Sequence, residues 1–423
     1  MPALVRQSKE SQLESKSLED LFCGLATDKN FISIPAGPPT GLKRDTKFEP
    51  NYDAKDLLLS RDEIIATRIP DYADANEPST VLLSLKHTKD QLLSISGFPE
   101  PLEPLSEKKY EVKPIEGIGM GIFATEDIAI GETIIRERPL LVYPVALPID
   151  ESGWPKTFHE TAADLMTEDA KLAFFDLHNC HGEAKPEATG IIATNGLEIG
   201  ELPGYQGPYG AVCKEISRAN HSCSNNAIFS WDMLSFTEEL RAVRAIGKGE
   251  EICISYGGHY QSHPRASRQT NLLMYNFTCN CPTCALPEEE SKKSDAQRAI
   301  IQKTAEKDLD GFNLNGDLDI LLWCMDHSQP KDKIIKRCLT MLDMMDQEGI
   351  YPECWLYYSK LCKAYCALED ADNARLWAKK AAARMRGEHG CDGGFHAVAE
   401  KPEETMCWGL RTLPSEGTSE EGM

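Results

Sequence analysis

Three cysteines stand within six residues in Cys279-Asn280-Cys281-Pro282-Thr283-Cys284, and no other stretch of this 423-residue chain restricts its fold as tightly. Thiols this close either converge on one ion or remain unligated side chains. Free cysteines as a rule occur singly and buried, which favours convergence. A structural zinc ion asks for four ligands in a tetrahedron, mostly thiolates. Three ligands are local, so a fourth must come from elsewhere in the chain. Cys223, in Asn220-His221-Ser222-Cys223, is the favoured candidate. The chain must then fold back until position 223 meets positions 279 to 284.

Composition fits such a fold. Apolar residues make up 41% of the chain, an ordinary globular share. The length suffices for two or three domains. No run of about 18 apolar residues occurs, so no membrane span is expected. The start, Met1 to Asp20, lacks the apolar stretch of a signal peptide, so the expected location is the nucleus and/or the cytoplasm rather than outside the cell. Fifteen cysteines agree with this, because reducing compartments keep thiols free and clustered cysteines there hold metal more often than they form disulfides. The net charge of −22 argues against a general nucleic-acid binder, which needs clustered Lys and Arg. Such acidity gives solubility, and it also attracts a basic peptide.

Texture divides the chain. Residues 1–107 read as a partly disordered N-terminal extension, with the Pro-rich stretch Ile34 to Pro39, a short amphipathic segment from Asp62 to Arg68 and an extended linker from Pro99 to Pro104. Residues 108–257 alternate short β-type runs with Gly-containing turns. The runs are Ile115 to Ala124, Glu132 to Tyr143, Ile191 to Ile199, Ala227 to Phe236 and Glu251 to Tyr256. A helical insertion is expected at about 144–190, with a helix over 160–180 that places Leu165, Leu172 and Phe175 on one side. The cysteine trio lies in 258–290. Beyond it, Ile335, Cys338, Leu339 and Leu342 follow helical spacing, as do Tyr358, Leu361, Cys362 and Tyr365, and Ala371, Ala374 and Ala378. Residues 291–412 therefore read as a helical C-terminal domain of stacked antiparallel pairs, TPR-like, before a disordered tail at 413–423.

Three further segments carry chemistry only in combination. Gly117-Ile118-Gly119-Met120-Gly121-Ile122-Phe123 lets backbone approach a ligand closely, although on its own it is a tight β-turn, and its spacing is not that of a dinucleotide site. Asn220-His221-Ser222-Cys223, followed by Asn225-Asn226, supplies donors and acceptors, yet alone it is a polar turn. Tyr256 ends a strand before Gly257-Gly258, where a tyrosine is ordinarily a core or rim residue.

The order of these segments resembles that of the SET-domain protein lysine methyltransferases. The Gly-x-Gly start (Gly119, Gly121, Ile122, Phe123), the Asn-His-Ser-Cys segment, the strand Glu250 to Tyr256 and a post-SET Cys-x-Cys-x-x-Cys follow one another over roughly residues 108 to 287. The texture is most similar to the SET-and-MYND branch, of fungal type and without a MYND module. The resemblance implies a mostly β SET fold with a knot-like C-terminal crossing, a helical insertion, a post-SET zinc site and an α-helical C-terminal region. It implies S-adenosylmethionine and zinc as cofactors. Gly119, Met120, Gly121, Asn195, Ser217, Asn220, His221, Tyr275 and Phe277 would bind the methyl donor together with Tyr256, which would also be the catalytic tyrosine. Cys223, Cys279, Cys281 and Cys284 would hold the zinc. The family's x-Pro-Asn continuation is replaced by Ser224-Asn225-Asn226, which unsettles the local turn.

The function implied is methyl transfer to the side-chain amine of a protein lysine. The partner would be a protein with a basic lysine-containing segment, a histone among the candidates, with no direct nucleic-acid or membrane binding. The competing reading is a catalytically silent SET scaffold that acts as an interaction module.

Overall fold

The computed structural model describes residues 64–70 and 78–413, apart from 146–153, 205–206, 257, 316–317, 352–353 and 390. The stretch Ile34 to Pro39, the start of the Asp62 to Arg68 segment and the tail beyond 413 lie outside the described residues.

Twelve strands form three small sheets among the described residues. Strands β1 (Ile64–Ile69) and β2 (Thr80–Leu85) precede helix α1 (Lys86–Ser94). Then come β3 (Tyr110–Ile115), β4 (Gly119–Ala124), β5 (Thr133–Glu137) and β6 (Leu141–Pro144). Three helices lie between β6 and the next strand: α2 (Trp154–Asp164), α3 (Glu168–Phe175) and α4 (Glu187–Asn195). Strands β7 (Leu197–Glu201), β8 (Pro208–Val212), β9 (Asn220–His221), β10 (Ala227–Asp232), β11 (Thr237–Ala242) and β12 (Glu251–Ile254) complete the β region.

The five-stranded sheet runs β1-β2-β6-β8-β7. Its second strand is an ordered part of residues 1–107 that the sequence reading did not single out. Thr80–Leu85 is buried along its whole length and pairs parallel with β6, Val81 opposite Leu141 and Leu82 opposite Val142. A continuous apolar run of this kind belongs in a strand covered on both faces. Composition averaged over the whole extension concealed it.

The insertion departs from expectation in detail. The helix expected over 160–180 is two helices, because the Thr167 side chain accepts the Ala170 N–H and starts α3 afresh. The break changes the buried face. Leu172 is 70% exposed and Leu165 and Phe175 are also solvent-facing, while Phe174, Ala162, Ala163, Met166 and Leu177 fill the core. The run Ile191 to Ile199, read as a strand, is the end of α4 followed by β7, with Ile191 and Ile192 buried on the helix.

A four-stranded sheet, β3-β4-β12-β9, assembles the chemistry. Strand β12 pairs antiparallel with β4, Glu251 opposite Phe123 and Ile252 opposite Ile122. On its other edge it pairs parallel with β9, Cys253 opposite Asn220 and Ile254 opposite His221. One buried strand thus sets the glycine-rich hairpin, the Asn-His segment and Tyr256 side by side. The third sheet runs β10-β11-β5.

The C-terminal region is helical, as its periodicity required. Helix α5 (Arg265–Leu272) precedes the cysteine trio, and α6 (Glu288–Asn315), α7 (Leu318–Met325), α8 (Lys333–Glu348), α9 (Cys354–Ala367), α10 (Ala371–His389) and α11 (Phe395–Glu400) follow it. Helix α9 packs against both α8 and α10, and Leu361, Cys362, Ala364 and Cys366 are fully buried. On α8, Ile335 and Cys338 face inward, whereas Leu339 is exposed.

Arg298 of α6 ties this bundle to the cysteine site. Its guanidinium, fully buried, donates to Glu348 Oε2 at 2.9 Å, to the Glu348 carbonyl at 2.7 Å, to the Gln261 carbonyl at 2.5 Å and to the Cys223 carbonyl at 3.4 Å. Ser224 Oγ adds a bond to the Glu348 carbonyl at 2.9 Å. Removing one partner of a buried ion pair leaves a bare charge, so Arg298→Met is expected to lose about 3–5 kcal/mol of stability. Chemical denaturation should show a lower midpoint for this variant, with partial recovery in Arg298→Met/Glu348→Leu. A change under about 1 kcal/mol would contradict the assignment.

Candidate active site and zinc centre

The four cysteines singled out in the sequence converge. The sulfur atoms of Cys223, Cys279, Cys281 and Cys284 lie within 4.8 Å of one another. Cys223 and Cys284 are 3.6 Å apart, close to the spacing of about 3.8 Å set by zinc–sulfur bonds of about 2.3 Å in a tetrahedron. It is far from the 2.05 Å or so of a disulfide. Cys223, Cys279 and Cys284 are buried and Cys281 is half-buried. Hydrogen bonds from Cys223 hold the Cys281 and Cys284 thiols below their usual range, while bonds with Cys279 first, and then with Cys281 and Cys284, push Cys223 up. The donor set fits zinc.

Helix α5 builds the knuckle. Gln269 grips Cys279 from both sides, accepting its N–H at 2.9 Å and donating to its carbonyl at 2.7 Å. Arg265 donates to the carbonyls of Cys284 at 3.4 Å and Leu286 at 3.0 Å. The buried Arg268 guanidinium lies 3.8 Å from Cys284 Sγ and offsets the charge that four thiolates would concentrate.

Tyr256 stands beside this centre. Its phenol donates to the Ala219 carbonyl at 3.0 Å, and burial pushes its pKa up, so it stays neutral. Its backbone N–H donates to His221 Nδ1 at 3.0 Å. That bond makes Nδ1 an acceptor and leaves the ring proton on Nε2, which faces Cys223 Sγ at 3.4 Å. Burial drives His221 down to about 4, keeping the imidazole neutral. One ring thereby links the tyrosine strand to one of the four clustered cysteines.

Three aromatic rings gather around Tyr256. Tyr275 lies 5.0 Å away, His221 5.4 Å and Phe277 6.2 Å between ring centres. Asn276 sits between Tyr275 and Phe277 with φ of 56°, a left-handed conformation that Asn tolerates. Its side chain donates to the Cys180 carbonyl at 2.6 Å, tying this aromatic turn to the helical insertion. Aromatic faces attract cations, so this wall suits a sulfonium.

The glycine-rich hairpin supplies the opposite side. Asn220 Nδ2 donates to the Met120 carbonyl at 3.0 Å and to Glu251 Oε1 at 2.8 Å. A Cβ at position 121 would fall 2.4 Å from Ile115 Cδ1, 3.0 Å from Glu251 Oε1 and 3.1 Å from Asn220 Nδ2, so any larger residue would displace these side chains. Gly119, with φ of 121°, and Met120 remain exposed beside it. These backbone groups fit a cofactor that must approach the main chain closely.

Asn195 and Ser217 lie one layer behind. Asn195 Nδ2 donates to the His178 carbonyl at 2.7 Å and the Ile191 carbonyl at 2.8 Å, directing both amide hydrogens into the protein. Ser217 Oγ donates to the Asn195 carbonyl at 3.0 Å and accepts the Cys213 N–H at 2.9 Å. The pair pins the end of α4 to the loop that carries Asn220. The unusual Ser224-Asn225-Asn226 sequence is held by β12: Asn226 donates to the Glu251 carbonyl at 2.8 Å and accepts the Cys253 N–H at 2.8 Å.

Sequence reading missed Glu251 as a partner of Asn220, the Ala219 carbonyl as the tyrosine's acceptor, and Arg268 and Gln269 at the cysteines. Glu251 lay inside a quoted motif. The other three carry no local signal, because their roles arise only when distant segments meet.

Metal analysis of the purified chain should find one zinc ion per molecule. Cys223→Ser is expected to lose zinc as fully as Cys279→Ser, although Cys223 is remote in sequence. Zinc retained at full occupancy in Cys223→Ser would remove it from the ligand set.

Comparison with known proteins agrees with this geometry. Residues 119–257 match the SET domain family, a span that reaches from the glycine-rich hairpin to Tyr256 and stops short of the cysteine trio. Over 199 residues the chain is 32% identical to histone-lysine N-methyltransferase set5 of Schizosaccharomyces pombe, covering 47% of this chain and 57% of that one. It is 27% identical over 136 residues to N-lysine methyltransferase SMYD2 of Gallus gallus, covering 32% of this chain and 30% of the relative. With the protein-lysine N-trimethyltransferase SMYD5 of the same species it shares 35% over 97 residues, 22% and 23% of the two chains. The matches span less than two thirds of each of these relatives. Residues 119–257 match the SET domain, and over its matched stretches the chain is similar to set5 and to the SMYD lysine methyltransferases.

Proposed function

We propose that the chain is a protein-lysine N-methyltransferase that uses S-adenosylmethionine, with zinc held by Cys223, Cys279, Cys281 and Cys284 as a post-SET site. The observation that carries this reading is the neutral Tyr256 phenol, fixed on the Ala219 carbonyl within an aromatic wall that packs on the four thiols. The donor supplies an electrophilic methyl group on a sulfonium.

The residues around Tyr256 address the two obstacles to this transfer. An acceptor lysine with a pKa near 10.4 must become neutral, which at pH 7 amounts to about 4–5 kcal/mol. Burial in the channel beside Tyr256, Tyr275 and Phe277 and repulsion from the donor's sulfonium both disfavour the ammonium, and together they take up much of that difference. The second obstacle is alignment of nitrogen, carbon and sulfur. A phenol oxygen locked to a backbone carbonyl cannot swing, and such fixed orientation is worth several kcal/mol. Gly119 to Gly121, Asn220 and the His221 backbone would hold the donor's amino-acid and adenine portions. Asn195 and Ser217 would support it from behind, and the chain's knot-like crossing belongs to the same reading. A chain with net charge −22 favours basic partners, so the proposed substrate is a lysine within a basic protein segment, a histone tail being one such segment. The proposed setting is the nucleus or cytoplasm.

Transfer of a labelled methyl group to histones and to cell lysate tests the reading. Tyr256→Phe is expected to lower the rate by about 10²–10⁴-fold while donor affinity stays within a few fold. Donor binding with no transfer to any acceptor would instead favour a silent scaffold.

A further inference from the structure

Glu137 ends β5 and lies far in sequence from the segment it holds. Its carboxylate accepts three successive backbone N–H groups, from Lys214 at 3.2 Å, Glu215 at 3.0 Å and Ile216 at 2.6 Å. These amides open the short 3₁₀ turn Ile216–Arg218, and first-turn amides have no partner within their own turn. The chain leaves that turn through Ala219, whose carbonyl receives the Tyr256 phenol, and continues into Asn220 and His221. On the turn's other side, the Tyr110 phenol and Lys108 both engage the Glu215 carboxylate. Directly opposite Glu137 in the β5–β11 register stands Glu238, fully buried, with neither carboxyl oxygen finding a hydrogen-bond partner among the described residues.

We propose that Glu137 is a positioning residue: by gathering the 214–216 amides it sets the Ala219 carbonyl, Asn220 and His221 where the methyl donor and Tyr256 require them. This inference rests on the methyltransferase reading. It separates two quantities that an ordinary structural contact would move together. Only the ionised carboxylate accepts from all three amides, since a protonated carboxyl turns an O–H toward donors. The titratable groups facing Glu137 are Glu238 on β11, Glu215 and Cys213 on the loop, and Tyr110 on β3. Burial, reinforced by Glu215, pushes Glu137 up to about 7, and it drives Glu238 far above the usual carboxylate range. Raised carboxyl values stabilise the fold most below about pH 4.5, and that contribution is lost as pH rises through about 7. The grip on the turn strengthens over the upper part of the same window. Donor affinity should therefore rise while this contribution to stability falls.

The experiment uses the full chain with S-adenosylmethionine as probe. Calorimetric affinity, thermal midpoint and zinc content are measured between pH 6 and 8 for wild type, Glu137→Gln and Glu137→Asp. Wild type is expected to bind the donor at least threefold more tightly at pH 8 than at pH 6. Glu137→Gln should bind at least tenfold more weakly at pH 8, with a flat profile, full zinc content and a thermal midpoint no lower than wild type at that pH. Glu137→Asp, which keeps a carboxylate and guards against a variant that fails to fold, should retain the slope with intermediate affinity. Wild-type affinity for Glu137→Gln, or a wild-type profile flat from pH 6 to 8, overturns the positioning role and leaves the methyltransferase reading intact. A wild-type chain that binds no donor at any pH overturns both.

Discussion

Four sulfur atoms within 4.8 Å of one another, three from a six-residue stretch and one from a distant loop, are the constraint on which the rest depends. The loop that supplies Cys223 also supplies His221, and the stretch that supplies the other three follows directly on Phe277. Bringing the sulfurs together therefore brings the Asn-His segment against the aromatic turn. The imidazole then spans the gap, accepting the Tyr256 N–H at one nitrogen and facing Cys223 with the other. The meeting of the four sulfurs, the ring orientation and the tyrosine's place are one piece of geometry.

That piece is braced from three directions. Strand β12 fixes Tyr256 between the glycine hairpin and the Asn-His segment through its two pairings. The insertion reaches in through Asn276 and Cys180. The C-terminal bundle reaches in through Arg298, whose guanidinium touches the Cys223 carbonyl and closes on Glu348. The helical region is thus part of the structure around the four-cysteine cluster rather than an appendage to it. Buried polar contacts of this kind are stable only when every partner is present, which makes such a site sensitive to distant substitution.

Much of this was legible from residue order. The cysteine trio demanded a fourth thiol, and the Asn-His-Ser-Cys segment was the place to look. Periodicity located the β region and the C-terminal helices, because buried residues on α8 and α10 recur every three to four positions, whereas α9 is buried nearly all round. What remained hidden had physical causes. Strand β2 is a short apolar run inside a polar, proline-rich stretch, and its partner β6 is remote. The break at Thr167 rests on one side-chain cap, which shifted the buried face from Leu172 to Phe174. At the site, Asn195 directs its amide hydrogens into the protein, a direction that spacing cannot reveal. Glu137 and Arg298 act on backbone groups far along the chain, and backbone partners leave no mark on side-chain sequence.

The most direct test is to remove the metal and watch the donor site. Stepwise chelation of the intact chain should release zinc and abolish S-adenosylmethionine binding along one shared curve, with both restored when zinc returns. A zinc-free chain that still binds the donor at wild-type affinity would contradict the account, because the aromatic wall would then owe its place to something other than the four sulfurs.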